Sequence, residues 1–300
     1  MKILVTGAAG LIGAEVVHYL RLRGHEVMGI VRELRVNSDM VDEPLVSLDL
    51  LREDLSRILP NTYPDALVHC AAVFPAVLGG KEDKACARIN QQIDNNVISF
   101  TNRTGCKTVF MSSTAVYGLA SGPKHEESVS QPEGYYAEGK LRSEALFTER
   151  GKEGLVFRLN APYGPRQRIL TVLKLFIRKA LAGEILEYHG TGTRTQTFTH
   201  CNDVAVAVDS ALFKNDISGT FNIAGEQVIS MQALAKLIVN QIKGAQDVMV
   251  KPSGQPDPQE GYRSIIEIAK ARSVIGWVPR ITLASGVKEC IEFEMSVAGL

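Results

Sequence analysis

The chain has 300 residues, 45% hydrophobic and 22% charged, with 33 Lys and Arg matched by 33 Asp and Glu. This is enough for a large globular core with room for two lobes. A net charge of zero argues against a nucleic-acid partner or an anionic membrane surface.

In chain order, "KILVTG" (2–7) predicts a strand and "AEVVHYLRLRG" (14–24) a helix whose Val16, Val17 and Leu20 share one face. The three glycines and Glu15 within "ILVTGAAGLIGAEVV" suit a strand–turn–helix better than a secretory leader. "HEVMGIV" (25–31), "ALVHCAA" (66–72), "TVFMSS" (108–113) and "LVFRLN" (155–160) are apolar throughout, as parallel strands covered on both faces are. "LTVLKLFIRKALAG" (170–183) and "MQALAKLIVNQI" (231–242) predict helices, and the Pro- and Gly-containing "KPSGQPDPQEGYR" (251–263) a loop. No stretch has the length of a membrane span. The five cysteines, Cys70, Cys86, Cys106, Cys201 and Cys290, include no C-x-x-C pair. They predict reduced thiols in a cytoplasmic protein, with no metal centre and no disulfide framework.

Strand–helix alternation predicts an α/β fold with a doubly wound parallel sheet. We expect a dinucleotide-binding domain over residues 1–165 and a smaller C-terminal substrate lobe over 166–300, with some later segments free to rejoin the sheet.

The glycine triplet Gly7, Gly10 and Gly13 stands between a strand and a helix, with Leu11 and Ile12 inside it. Glycines allow a tight turn and close approach of a pyrophosphate, and the helix start offers unpaired N–H groups. This is the Rossmann arrangement; its bland alternative is a glycine turn with no ligand. At the end of the second strand a carboxylate would serve the ribose 2′-OH of NAD. The register instead gives Val31 followed by Arg32, which favours a 2′-phosphate and hence NADP(H). The competing reading leaves Arg32 solvated and gives the ribose to Glu33. Asp49 and Leu50, in "SLDL", are candidates for the adenine, and Ala71 and Ala72 are small where the cofactor backbone must pass. His69 reads as a packed core histidine with no evident carboxylate partner.

"MSSTAVYG" (111–118) offers Ser113 at a strand end, and "YYAEGK" (135–140) offers Tyr136 and Lys140. On a helix those two differ by about 40° and 6 Å, so they share a face. Tyr135 is not the candidate, because its fourth residue on is Gly139. A free phenol, with a pKa of ~10, is a weak base near neutrality, and lowering it three units takes roughly 4 kcal/mol. An ammonium about 4 Å away offers that order of energy at an effective dielectric of ~20. Ser113 would then hydrogen-bond the reacting oxygen. The competing reading is a solvent-facing helical pair worth tenths of a kcal/mol.

The ordered set "TGAAGLIG", "HCAA", "MSSTAVYG", "YYAEGK", "PYGPR" and "NDVAVAV" resembles the extended short-chain dehydrogenase/reductases, the NAD(P)-dependent epimerase/dehydratase group of which UDP-galactose 4-epimerase is typical. The resemblance runs through "ARSVIGWVP" (271–279). It implies Tyr136 as general acid/base, Lys140 as its ribose-binding partner and Ser113 as the hydroxyl at the reacting oxygen. It further implies Asn90 and Asn160 near the cofactor, and a homodimer through helices at 88–104 and 136–150. Two departures stand out. Ala161 replaces an asparagine usually offered to the substrate, and Gln196 stands where an arginine usually holds the pyrophosphate, with Arg194 two residues earlier. Arg166 and Arg168 supply cations nearby, although surface solubility explains such arginines equally well. Thr114 and Ala115 follow Ser113 in place of the acids of the dehydratases, which argues against water elimination and leaves Thr114 as a substrate contact. The expected activity is hydride transfer at a sugar carbinol or ketone of a nucleotide sugar, by 4-epimerisation or 4-ketoreduction. The alternatives are a non-catalytic NADP(H) sensor and a reductase of a non-nucleotide substrate.

Overall fold

The computed structural model describes residues 1–34, 45–59, 63–74, 81–120, 122–149 and 154–299. Strands β1 (Lys2–Thr6), β2 (Glu26–Val31), β3 (Leu45–Ser47), β4 (Ala66–His69), β5 (Lys107–Ser113) and β6 (Gly154–Leu159) form the central sheet. Gly219–Ile223 joins as its seventh strand, on the far side of β6 from β5. Every pairing in this sheet is parallel. The order runs Gly219–Ile223, β6, β5, β4, β1, β2, β3. Winding therefore reverses between β1 and β4, where such sheets open a crevice at their carboxyl edge.

Alternation along the strands assigns residues to the two faces. Ile3, Val5, Ala66, Val68, Val109, Met111, Leu155 and Phe157 belong to one core. Their neighbours Leu4, Leu67, Phe110 and Val156 belong to the opposite one. Both faces are apolar because helices cover both. The helices are α1 (Leu11–Leu22), α2 (Lys81–Thr104), α3 (Tyr135–Thr148), α4 (Val172–Leu181), α5 (Cys201–Leu212), α6 (Met231–Gln241) and α7 (Leu283–Ala298). On α1, Gly13, Val16, Val17 and Leu20 are buried, the spacing of a single helical stripe. Helix α1 lies against α5, and α2 packs beside α3 on the other face. A second core gathers Leu173, Phe176 and Ile177 of α4, Leu234 and Ile238 of α6, and Val287 and Ile291 of α7. Val250–Pro252 pairs with Leu186–Tyr188, so the expected loop at 251–263 begins inside a short strand. Among the described residues no helix is long and apolar enough to cross a membrane.

Two buried contacts fix α3. Asp83 of α2 accepts from the backbone N–H groups of Tyr135 (3.1 Å) and Tyr136 (2.9 Å). Gly134, at the N-cap, has no side chain to do this, so a carboxylate from the next helix caps α3 and meets its positive end. One turn beyond Lys140, Glu144 pairs with Arg158 of β6 at 2.7 Å, both side chains being buried. Ser112 donates to the same carboxylate at 2.5 Å. Arg158→Met would leave the Glu144 charge buried without its cation, at an expected cost of ~3–5 kcal/mol. Urea denaturation measures this, and a loss under about 1 kcal/mol would show that the pair does not hold α3 to the sheet.

Candidate active site

Two adjoining cavities lie along the carboxyl edge of the sheet. The first, of about 500 Å³, is lined by Gly7, Gly10, Arg32, Glu33, Asp49, Leu50, Ala71 and Ala72, among others. Gly7 follows β1 with φ +68°, and a Cβ there would stand 2.7 Å from the Ala71 backbone. Only glycine lets the turn after β1 approach the end of β4 so closely. A Cβ on Gly13 would come within 2.3 Å of the Gly7 carbonyl oxygen. That glycine serves the packing of α1 on its own turn. Gly10 caps α1 with no side-chain hydrogen bond, and the first turn holds no acidic residue. Its free N–H groups and positive end fit the pyrophosphate of a dinucleotide.

The second cavity, of about 630 Å³, shares Ala9, Gly10, Cys70, Ala72 and Arg168 with the first. Gly10, Leu11, Ile12 and Gly13 line it from the α1 side, Ser113 from β5, and Tyr136 and Lys140 from α3. Among the described residues its lining contains no carboxylate, and its cations are Lys140 and Arg168. Gln196 lines it too, at the position of the expected arginine. The phenol and the amine are thus brought to one wall with the serine, next to the glycine-lined groove.

Their electrostatic setting differs from the expectation drawn from spacing. The Lys140 ammonium donates to the Met111 carbonyl at 2.8 Å and sits 4.5 Å from the centre of the Phe110 ring. Burial pulls its pKa below the ordinary amine value, opposed by the negative charge of Asp94 and more weakly by Cys70 and Glu144. Burial also raises the Tyr136 phenol above its ordinary value, and Asp94 adds to the rise. The rise of the phenol comes from burial and Asp94, while the Lys140 ammonium is held by Met111, Phe110 and Asp94. Burial likewise pushes the Cys70 thiol up to about 12, against the pull of Lys140, so it is no nucleophile.

Asp94 was not legible as a site residue, and His69 is not the unpartnered core histidine that the sequence suggested. His69 Nε2 lies 2.9 Å from Asp94 Oδ1. Ser143 donates to Asp94 Oδ2 at 2.5 Å. The carboxylate of Asp94 stays below the ordinary range: burial works against it, but the His69 and Ser143 hydrogen bonds and the Lys140 charge prevail.

Several expected residues stand outside both linings. Asn90 grips the backbone of Val73 through both ends of its amide, at 2.7 and 2.9 Å. It shapes the groove wall from behind. Asn160 donates to Thr197 O at 2.9 Å and accepts from Thr114 Oγ1 at 2.8 Å, which turns both Asn160 and Thr114 inward. Arg194 is held by Asp257 (2.8 Å) and Gln259 (2.9 Å). Arg166 is exposed and lines neither cavity. Arg168, which lines both, is the cation the structure brings forward instead.

The description of the NAD dependent epimerase/dehydratase family matches residues 3–224. The chain belongs to that family. The UDP-glucose 4-epimerase of Mycolicibacterium smegmatis is 29% identical, with 98% of each chain covered. UDP-glucuronic acid decarboxylase 1 of Xenopus tropicalis is 26% identical over 97% of this chain and 72% of its own. The crystal structure of a UDP-glucose 4-epimerase from Thermotoga maritima, with UDP-glucose, superposes with a TM-score of 0.87 at 25% identity. It covers 99% of this chain and all of that one (100%). The family is nicotinamide-dependent, and the residues along the first cavity fit such a dinucleotide.

A phenol with a raised pKa keeps its proton in the folded chain over a range above pH 10 where the unfolded chain has lost it. Its contribution to stability is therefore constant below about pH 10 and declines as pH rises beyond it. Tyr136→Phe should lose less stability than the parent between about pH 10 and 11. Urea midpoints at matched pH read this, and parallel curves would contradict the burial of the phenol.

Proposed function

We propose that this enzyme moves a hydride at a sugar carbon of a nucleotide sugar, as a 4-epimerase or a 4-ketoreductase. The observation that carries the reading is the convergence of Ser113, Tyr136 and Lys140 on one cavity that continues into the glycine-lined groove. Kinship with a UDP-glucose 4-epimerase, and a superposing structure with UDP-glucose, support a nucleotide sugar as substrate. The missing carboxylates and the inward-turned Thr114 speak against dehydration. In this reading residues 166–300 form the substrate lobe except for α5 and Gly219–Ile223, which rejoin the dinucleotide-binding domain, and the enzyme is a cytoplasmic homodimer pairing through α2 and α3.

The dinucleotide, when bound, supplies the hydride acceptor and donor. This chain's residues handle the proton and the orientation. Ser113 donates to the sugar oxygen, and Tyr136 takes or returns its proton. Since burial and Asp94 hold the phenol above its ordinary value, proton loss at neutral pH calls for added positive charge. Release of Lys140 from the Met111 carbonyl toward the ribose and phenol provides part of it. Leu11, Ile12 and Gly13, which line the second cavity, would hold the dinucleotide on its nicotinamide side, and Asp49 and Leu50, which line the first, would hold its adenine. Asn160, through Thr114 and Thr197, holds the sugar side of the same wall.

Turnover should fall roughly 10²–10⁴-fold in Tyr136→Phe while dinucleotide binding persists. Intact turnover would remove Tyr136 from the chemistry. Product formation without a change at the nicotinamide absorbance band marks an epimerase, and stoichiometric NADPH loss marks a reductase. Arg32 in the first cavity favours NADP(H), with Glu33 beside it as the feature that would favour NAD. Arg32→Ala should weaken NADP(H) binding about tenfold or more and leave NAD(H) nearly unchanged, as charge-assisted contacts are worth ~1.5–3 kcal/mol. Equal effects on both would assign the preference elsewhere. By the same argument Arg168 is the contact for the substrate's phosphates, and Arg168→Ala should raise KM for the nucleotide sugar by about 10-fold with a smaller change in kcat. An unchanged KM would return Arg168 to the surface.

A further inference from the structure

Asp94 lies on α2 with 1% of its surface exposed, beneath the catalytic wall. Its two oxygens are met by His69 Nε2 at 2.9 Å and Ser143 Oγ at 2.5 Å. The other side of the His69 ring is held by Thr6. Thr6 Oγ1 accepts from the Ala71 N–H at 3.3 Å and lies 2.6 Å from His69 Nδ1. His69 and Ser143 thus fix the two carboxylate oxygens of Asp94 by hydrogen bonds.

A buried carboxylate needs a cation, and α3 supplies one. Tyr136, Lys140 and Ser143 stand at i, i+4 and i+7, on one helical face. The last of these touches Asp94. Lys140 rests over Phe110, whose ring centre is 5.8 Å from that of His69 and 4.4 Å from that of Phe147. The ammonium and the His69 ring that meets the carboxylate thus share one buried aromatic wall, a setting where charges act strongly on one another. The titratable groups around Asp94 are His69 from β4 and Tyr136 and Lys140 from α3, with Cys70, just past β4, beside Lys140. Glu144, the next acid on α3, is committed to Arg158.

We propose that Asp94 is a positioning residue of this site: its carboxylate, fixed by His69 and Ser143, is the buried counter-charge that keeps Lys140 an ammonium beside Tyr136. The assignment deepens the proposed function and rests on it for its catalytic consequence. Without Asp94, a lysine this deeply buried drifts toward the neutral amine, which has no charge to lend to the phenol. With it, the negative charge also keeps the Tyr136 proton in place until more positive charge arrives, so the pair is held ready in its protonated form.

The test is Asp94→Asn, with Asp94→Ser as a second replacement; both remove the charge and leave His69 a polar partner. A negative charge favours the protonated state of both neighbours, so its removal should move both limbs of the kcat/KM pH profile toward lower pH, by roughly one unit. A lower plateau with both limbs in place would mean that Asp94 only supports the structure, and would overturn the proposal. A second measurement is independent of any substrate: a double-mutant cycle on urea stability combining Asp94→Asn with Lys140→Met. The double variant should lose clearly less than the sum of the two single losses, and additivity would overturn the pairing. If Asp94→Asn does not fold, recovery of a folded protein in the double variant supports the proposal and continued failure overturns it. An enzyme inactive on every nucleotide sugar but showing coupling in the cycle would sink the substrate reading and leave the Asp94–Lys140 pair standing.

Discussion

An ammonium group kept out of water at the carboxyl edge of a parallel sheet is the constraint from which the rest of this site follows. Lys140 is 5% exposed. An isolated charge in that position would shed its proton, as buried lysines do. The surroundings answer it in several ways at once: a backbone carbonyl at Met111, the face of Phe110 and the carboxylate of Asp94. Each of these is delivered by a different part of the fold. Met111 and Phe110 are adjacent on β5 and point to opposite faces of the sheet, so the side chain of one and the carbonyl of the other serve the same amine. Asp94 comes from α2, and α2 also delivers Asp83 to the start of α3. Placing one lysine therefore fixes the relation of β5, α2 and α3, and with it the position of Tyr136.

The same logic explains why a second buried ion pair sits one turn further along. Glu144 faces inward because α3 presents that stripe to the sheet, and Arg158 from β6 meets it. Ser112, next to Ser113 in sequence, donates to the Glu144 carboxylate. Consecutive residues of β5 point to opposite sides, so while Ser112 ties down the strand end, Ser113 is left to the cavity. The ion pair and the cavity wall are two faces of one strand terminus. A network of this kind contributes little net stability compared with an apolar filling, but it fixes direction.

What the sequence disclosed is what local pattern encodes. The unbroken apolar runs of β1, β2, β4, β5 and β6 and the Gly7–Gly10–Gly13 turn need no distant partner to be read. Tyr136 and Lys140 are joined by helix geometry alone. The strand at 219–223 escaped because its Thr220 and Asn222 break the apolar run. Asn222 is nonetheless buried, accepting from the Tyr117 hydroxyl at 2.7 Å. Helix α7 escaped although Leu283, Val287, Cys290 and Ile291 form a stripe, since Gly286 lowers its local propensity. That glycine answers a tertiary demand: a Cβ would fall 2.2 Å from the Tyr163 hydroxyl. Asp94 was hidden for a related reason. In "NQQIDNN" it sits among polar residues and reads as a solvated helix face. Its partners His69 and Ser143 are 25 and 49 residues away.

In the proposed mechanism these contacts also bear on how the phenol becomes a base. Spacing alone suggests a two-body device in which Lys140 acidifies Tyr136. The structure makes it a three-body device, because the charge that stabilises the ammonium opposes ionisation of the phenol. Burial strengthens both tendencies and fixes neither the rate nor the direction of proton transfer by itself. The balance is tipped by whatever positive charge enters the groove between Gly10 and Lys140, and by how far Lys140 turns from Met111. In the proposed mechanism, a site built this way withholds its base until the groove is filled, which couples proton transfer to the binding of the group that carries the hydride.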